Sequence, residues 1–286
     1  MRTTESRVVA NGLQHHVISW GPDGAQPAAT LLCLHGFLDV GWSFRPMAER
    51  LVACGHRVVA FDWRGHGESE WVGPGGYYHF MDYVADLADL VDALVPGPLH
   101  LVGHSMGGSA ASLYAGAFPE RVEKLVLMEG LGPEAPNEPE PAKRTGAWVL
   151  AARKARQRQH RVLASLEEAL ARMRLQTPEL DDALGLELAA RSTRQVEGGV
   201  VWSFDPLHRT RGPYPFHAEL FRAHLAAITA PTLCIEGERG YRVPDQEERQ
   251  AALRDARRIV IPAVGHMMHW LAPGPVAEAI DGFLRR

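Results

Sequence analysis

Ser105 lies in the run Leu99-His100-Leu101-Val102-Gly103-His104-Ser105-Met106-Gly107-Gly108, with a glycine two residues before it and another two after. Leu99 to Val102 read as a short buried strand, and the small residues Gly107 to Ala111 open a helix that continues through Leu113 and Tyr114. A serine at that join sits on a sharp turn in strained backbone, and the flanking positions must be almost free of side chain for the chain to pass. The helix start behind it offers unpaired N–H groups and a positive dipole end to a developing oxyanion. Ser105 is therefore the candidate nucleophile. A serine hydroxyl at its ordinary pKa attacks poorly, so this chemistry requires an imidazole to take its proton and an acid to orient that imidazole.

The surrounding pattern supplies a scaffold for such a turn. Arg7 to Ala10 and His15 to Trp20 alternate about Asn11-Gly12, which predicts a hairpin. His15 and His16 then fall on opposite faces of one strand and cannot share a metal. Thr30 to Leu34 is a continuous apolar run, as expected of a strand covered on both faces, and it ends in His35-Gly36-Phe37-Leu38-Asp39. Open α/β sheets place ligand contacts in such loops at strand C-termini. In hydrolases with an H-G-x loop of this kind, a backbone N–H points at the carbonyl oxygen; here that donor would be Phe37, with Met106 as the second. Arg57 to Phe61 form the next strand, followed by Asp62-Trp63-Arg64-Gly65-His66-Gly67-Glu68-Ser69, whose loop Asp62 is expected to cap. Phe80, Tyr83, Val84, Leu87, Leu90, Val91 and Leu94 recur at helical spacing, and Lys124 to Met128 predict a strand that delivers Glu129 at its end. Strands alternating with helices at this rhythm imply βαβ crossovers and a mostly parallel sheet.

The rhythm breaks at the proline-rich acidic stretch from Gly132 to Pro141, read as a stiff linker. Helices are expected from about Lys143 to Leu163, after Ser165 with Glu168 at capping-box spacing, and after Thr177-Pro178. Trp202 to Pro206 and Gly212 to Pro215 read as irregular, and a helix near Ala218 to Ile228 leads back. The arginines and lysines of the first of these helices face several ways and read as a solvated surface. Sheet pattern resumes at Thr232 to Glu238 and at Arg258 to Ile261, the latter ending in Val264-Gly265-His266-Met267-Met268-His269. The reading is a core of residues 1–132 and 226–286 with a helical cap of residues 133–225.

Taken in order, His35-Gly36-Phe37, Asp62 to Ser69, Gly103-His104-Ser105-Met106-Gly107-Gly108 and Val264-Gly265-His266 resemble the α/β-hydrolase superfamily over nearly the whole chain. The sub-type is similar to capped serine hydrolases of the serine-hydrolase-like and carboxylesterase kind. Serine at the elbow sets it apart from epoxide hydrolases and haloalkane dehalogenases, whose nucleophile is aspartate. The resemblance implies a Ser–acid–His order, with His266 as the base. His269 is read as structural or pocket-lining, and His104 as packed or hydrogen-bonded beneath the turn. Most members place the acid in a G-x-x-D pattern after the penultimate strand, but this chain has Gly240 at that position, in Gly237-Glu238-Arg239-Gly240. A second position known in the superfamily follows the strand after the elbow helix, where this chain has Glu129. A carboxylate at the end of a buried apolar strand is costly without a partner. Glu129 is taken as the acid, with Glu238 and Asp245 as the alternatives.

The rest of the composition narrows the function. The 286 residues are 46% hydrophobic and 22% charged, an ordinary soluble globular balance. A net charge of −4 gives no footprint for nucleic acid or an anionic membrane, and no apolar signal or membrane-spanning run is present. Three cysteines, Cys33, Cys54 and Cys234, read as reduced core residues, so a cytoplasmic location is expected. Phosphate-loop, dinucleotide, H-E-x-x-H and C-x-x-C motifs are absent, and neither a cofactor nor a metal is expected. The expected activity is acyl transfer on a small or medium carboxylic ester. The same residues serve C–C bond hydrolysis of a vinylogous diketone of the meta-cleavage-product type. The missing aspartate keeps a non-catalytic ligand-binding protein on this fold as the reading from another class.

Overall fold

The turn at Asn11-Gly12 closes a hairpin between β1 (Arg2–Ala10) and β2 (Leu13–Gly21), with both turn residues at positive φ, 45° and 78°. Asn-Gly reaches that geometry at little cost. In this computed structural model, which describes residues 1–22, 26–136 and 141–286, β1 begins well before the expected Arg7. Its first residues pair through their backbone along the sheet edge while their side chains stay in water, so no apolar alternation marks them.

The chain continues through β3 (Thr30–Leu34), α1 (Arg45–Ala53), β4 (Arg57–Phe61), α2 (Phe80–Leu94), β5 (Leu99–His104), α3 (Met106–Ala117) and β6 (Val122–Met128). Next come α4 (Pro141–Arg156), α5 (Leu166–Met173), α6 (Asp182–Arg191), β7 (Thr193–Val196), β8 (Gly199–Trp202) and α7 (Ala218–Ala227). The last elements are β9 (Thr232–Gly237), α8 (Gln246–Ala252), β10 (Ala256–Ile261), α9 (Met268–Leu271) and α10 (Pro273–Leu284). Among the described residues, eight strands form one sheet in the order β1-β2-β4-β3-β5-β6-β9-β10. The two pairings that involve β2 are antiparallel and the rest are parallel, as the alternating pattern predicts. Side chains divide by period two. Leu32, Leu34, Leu101, Leu125 and Leu127 join the core under α2, α3 and α7, while Leu31, Cys33, Val102, Val126 and Met128 join the opposite core under α1 and α10. No described helix is long and apolar enough to cross a membrane.

Between β6 and β9 the structure departs from the expected run of helices. α4 ends at Arg156, short of Leu163, because His160 Nε2 binds the Phe204 carbonyl at 2.5 Å and Leu163 pairs with Val200 as an isolated bridge. α6 begins after Asp181, whose carboxylate accepts the Leu184 N–H at 3.0 Å, and not at Thr177-Pro178. β7 and β8 form a small hairpin about Glu197-Gly198, with Gly198 at φ 84°. The start of α5 is capped as expected by Ser165. α7 lies so close on α3 that a Cβ on Gly116 would come within 2.5 Å of the His224 carbonyl oxygen. Residues 137–140, the end of the proline-rich stretch, fall outside the described residues. Its start is held from the core. Fully buried Arg249 of α8 donates from Nη1 to the carbonyls of Leu131 and Pro133, at 2.8 and 2.9 Å, and stands over the rings of Phe216 and Phe221.

Candidate active site

Ser105 joins β5 to α3 with φ 52° and ψ −116°, a conformation L-residues seldom adopt and one that costs about 1–3 kcal/mol. The surrounding structure enforces it. The Ser105 N–H donates to the Met128 carbonyl at 2.9 Å, and the small residues the elbow needs are in fact crowded. A Cβ on Gly107 would overlap the Leu34 carbonyl oxygen, and one on Gly103 would sit 2.5 Å from the Gly108 Cα. Met106 begins α3, so its N–H is among the first-turn donors that the helix itself leaves unpaired. The loop after β3 lies against this turn, since a Cβ on Gly36 would come 2.9 Å from His104 Nδ1 and 3.4 Å from Ser105 Cβ. Phe37 is the next residue, half-exposed at the mouth of the site.

His266 follows β10 and reaches the same place. Its ring packs on that of His104 at 4.6 Å, and its carbonyl accepts from His104 Nε2–H at 3.0 Å. His266 Nδ1 lies 2.5 Å from Glu129 Oε2. A carboxylate at that distance accepts the Nδ1 hydrogen, which leaves the lone pair on Nε2. The Glu129 side chain is only 1% exposed, and that of His266 is 34% exposed. Glu129 Oε1 accepts the Gly237 N–H at 2.9 Å, and Oε2 also accepts the Tyr241 N–H at 2.8 Å. Three N–H donors, two from the end of β9 and its loop and one from His266, thus satisfy a buried carboxylate whose own backbone sits at φ 47°.

The structure thereby brings Glu129, His266 and the residues flanking Ser105 to one end of the parallel sheet. The other carboxylates weighed for the acid go elsewhere. Glu238 accepts the Ala263 N–H at 2.8 Å, and Asp245 is engaged by Arg249 at 2.7 Å. His269 is fully buried, with Nε2 3.4 Å from Ser43 Oγ and 3.6 Å from Asp39 Oδ2.

The site's elements also match a known pattern across the chain. The alpha/beta hydrolase fold family model covers residues 29–273. The chain belongs to the α/β-hydrolase family. A zebrafish (Danio rerio) serine hydrolase-like protein is 34% identical over 65% of this chain and 57% of its own length. The human (Homo sapiens) serine hydrolase-like protein 2 is 27% identical over 94% of this chain and 92% of its own. Among solved structures, the thioesterase domain from the curacin biosynthetic pathway superposes with a TM-score of 0.85 at 28% identity, covering 98% of this chain and 99% of that one. The hypothetical protein PA1622 from Pseudomonas aeruginosa PAO1 gives 0.86, also at 28% identity, over 99% of both chains.

Within this hydrolase fold, several residues that sequence reasoning passed over fix the loop carrying Phe37. His35 Nδ1–H donates to the Gly36 carbonyl at 2.8 Å, and its Nε2 accepts the Trp63 N–H at 3.0 Å. His66 Nδ1–H donates to the Arg64 carbonyl at 3.1 Å, and its Nε2 accepts the Leu38 N–H at 3.3 Å. Leu38 is held at φ 59°. Burial keeps both imidazoles below their ordinary pKa, His66 well below it, so each stays neutral and can accept as well as donate. From between β8 and α7, His208 stacks between His66 and Tyr78, with ring centroids 4.1 and 3.9 Å away. Burial pushes His208 down to about 3. Nearby, Tyr78 O–H donates to Asp205 at 2.8 Å and the Asp205 N–H donates to Gly65 at 2.8 Å. Asp62 caps its own loop by accepting the Glu68 N–H at 2.9 Å, and buried Arg64 pairs with Asp86. The sequence signal for these contacts is no more than His35 in the loop after β3 and His66 in the loop after β4, and which rings meet depends on tertiary packing alone.

Proposed function

We propose that this chain is a serine hydrolase that cleaves small or medium carboxylic esters through an acyl-enzyme. Ser105 attacks the carbonyl as His266 Nε2 takes its proton, and Glu129 stabilises the imidazolium that results. The N–H groups of Phe37 and Met106 receive the oxyanion. His266 then protonates the departing alcohol, and a water activated by the same imidazole releases the acid. The observation that supports this reading is the 2.5 Å contact between Glu129 and His266, because it orients an imidazole that packs against His104, the neighbour of the strained Ser105. Thioesters join the candidate substrates through the similarity to a thioesterase domain.

A fluorophosphonate probe tests the chemistry. A single adduct on Ser105, lost in Ser105→Ala, is the expected result. A folded protein that takes up no probe would make the chain a binding protein. A panel of p-nitrophenyl esters, acyl thioesters and a coloured dienol diketone then sets the substrate class. Turnover of the diketone alone would replace ester cleavage with C–C bond hydrolysis; a 2-hydroxy-6-oxononadienedioate/2-hydroxy-6-oxononatrienedioate hydrolase of Paraburkholderia xenovorans is 40% identical over 38% of this chain.

A further inference from the structure

Beneath the elbow, three buried side chains converge that acyl transfer does not use. Asp39 comes from the loop after β3, His104 from the end of β5 and His269 from α9. One ligating atom of each lies within 4.8 Å of those of the other two. The tautomer of His104 follows from its neighbour. Its Nε2 faces the His266 carbonyl at 3.0 Å, which can only accept, so the hydrogen is on Nε2 and the lone pair on Nδ1. That Nδ1 faces the loop carrying Asp39, since a Cβ on Gly36 would approach it to 2.9 Å. Among the described residues it has no hydrogen-bond partner. A lone pair buried in this way is costly to leave unmatched.

We propose that Asp39, His104 and His269 form a binding site for a divalent transition metal ion of the Zn²⁺, Co²⁺ or Ni²⁺ type, and that its occupancy inhibits hydrolysis. Two neutral imidazoles and one carboxylate are a donor set that favours these ions over Mg²⁺ or Ca²⁺. His104 also has the outer hydrogen bond typical of metal-binding histidines, from its second ring N–H to a backbone carbonyl. Asp39 Oδ2 and His269 Nε2 are 3.6 Å apart, close to the roughly 3.3 Å edge of a tetrahedron with ~2.0 Å bonds.

Inhibition follows from what the ligands hold. His104 supports the His266 backbone and packs on its ring, and the Asp39 N–H donates to the Gly36 carbonyl at 3.3 Å. Drawing these side chains toward an ion displaces both the base and the loop before Phe37. This second arm rests on the hydrolase reading above, whereas binding of the ion does not.

The test titrates chelator-treated protein with Co²⁺ alone and reads its visible d–d spectrum. One equivalent is expected to give an intense tetrahedral-type band that Zn²⁺ bleaches. Asp39→Asn and His269→Ala should each weaken binding about tenfold or more. A second cluster, Glu5, His16 and Glu68, lies at the surface, so Glu5→Gln/Glu68→Gln serves as the control and should keep the band. Ester hydrolysis should fall in step with the band. If those variants do not fold, anomalous diffraction from a Zn²⁺-soaked crystal of the unaltered protein locates the ion directly. No band, a band lost only in the control, or an anomalous peak elsewhere would overturn the site. A band without inhibition would overturn the inhibitory role, and a band in a protein with no esterase activity would separate this site from the reaction.

Discussion

Glu129 fills the space that any side chain at Gly240 would need. A Cβ on Gly240 would coincide with Glu129 Oε1, and the N–H groups on either side of that position, from Gly237 and Tyr241, are the donors that hold the Glu129 carboxylate. The two residues are one design read from both ends, since a carboxylate that arrives from β6 requires the loop after β9 to stay bare. Glu129→Gly is compatible with the backbone there, because φ is 47°. It should lower kcat about 10³–10⁴-fold with the fold intact, comparable to loss of an orienting acid in related triads. Gly240→Asp alone should also impair activity by displacing Glu129. Combining the two should recover at least about tenfold over Glu129→Gly. A double variant no more active than Glu129→Gly would refute the exchange, and ester kinetics with circular dichroism decide it.

Gly107 of the elbow and Gly282 of α10 should respond to an added methyl in opposite directions. Gly107→Ala drives a methyl into the Leu34 carbonyl and should destabilise the protein by about 3 kcal/mol or more. Gly282→Ala, inside α10 with open space around it, should stabilise by about 0.5–1 kcal/mol. Urea unfolding of both variants measures the contrast, and equal midpoints would contradict it.

Acid should destabilise this protein before its carboxylates titrate. Burial depresses His35, His66, His104, His208 and His269, with His208 down to about 3. Unfolded, each takes a proton near pH 6.5, so the unfolded chain binds more protons below that value and stability is lost as pH falls. His16 opposes the trend. Burial would lower it, but the Asp62 carboxylate raises it. From pH 7.5 to 5.5 the unfolding free energy should fall with a slope exceeding two protons, about 3 kcal/mol per pH unit at its steepest. Chemical denaturation at stepped pH measures that slope, and a flat profile would refute it.

Tyr78 and Asp205 should behave as a coupled pair. Tyr78→Phe removes the bond to Asp205 and leaves the Val72 N–H, 3.2 Å from the hydroxyl, without that acceptor, and should cost about 1–2 kcal/mol. Asp205→Ala also leaves the Leu207 N–H, now 2.9 Å from the carboxylate, without its acceptor and should cost about 2–3 kcal/mol. The double variant should be less destabilised than the sum of the two, by about 0.5–1 kcal/mol. Strict additivity in thermal or urea unfolding would show the contact to be idle.

Much of this arrangement was legible because it is local or periodic. The Gly103-x-Ser105-x-Gly107 spacing encodes its own turn, and the unbroken apolar runs at Leu31 to Leu34 and Leu125 to Met128 mark doubly covered strands. Glu129 stood out because the end of a buried strand is an expensive place for an unpartnered carboxylate. What stayed hidden is set by packing between distant segments. Nothing near His208 in sequence says that it will lie between His66 and Tyr78, and Arg2 to Ser6 carry no apolar signal because an edge strand needs only its backbone. The β7–β8 hairpin was missed for a related reason. Its strands are only four residues each, and Leu163, which pairs with Val200 of β8, lies far upstream.

Arg249 has a mechanical consequence. By gripping the carbonyls of Leu131 and Pro133 from α8, it pins the chain where it leaves β6, a few residues beyond Glu129. Any swing of the segment between β6 and β9 must therefore pivot beyond Pro133, and the torque stops at the clamp before it reaches Glu129. Sequence change in that segment can then leave the pairing of Glu129 with His266 in place.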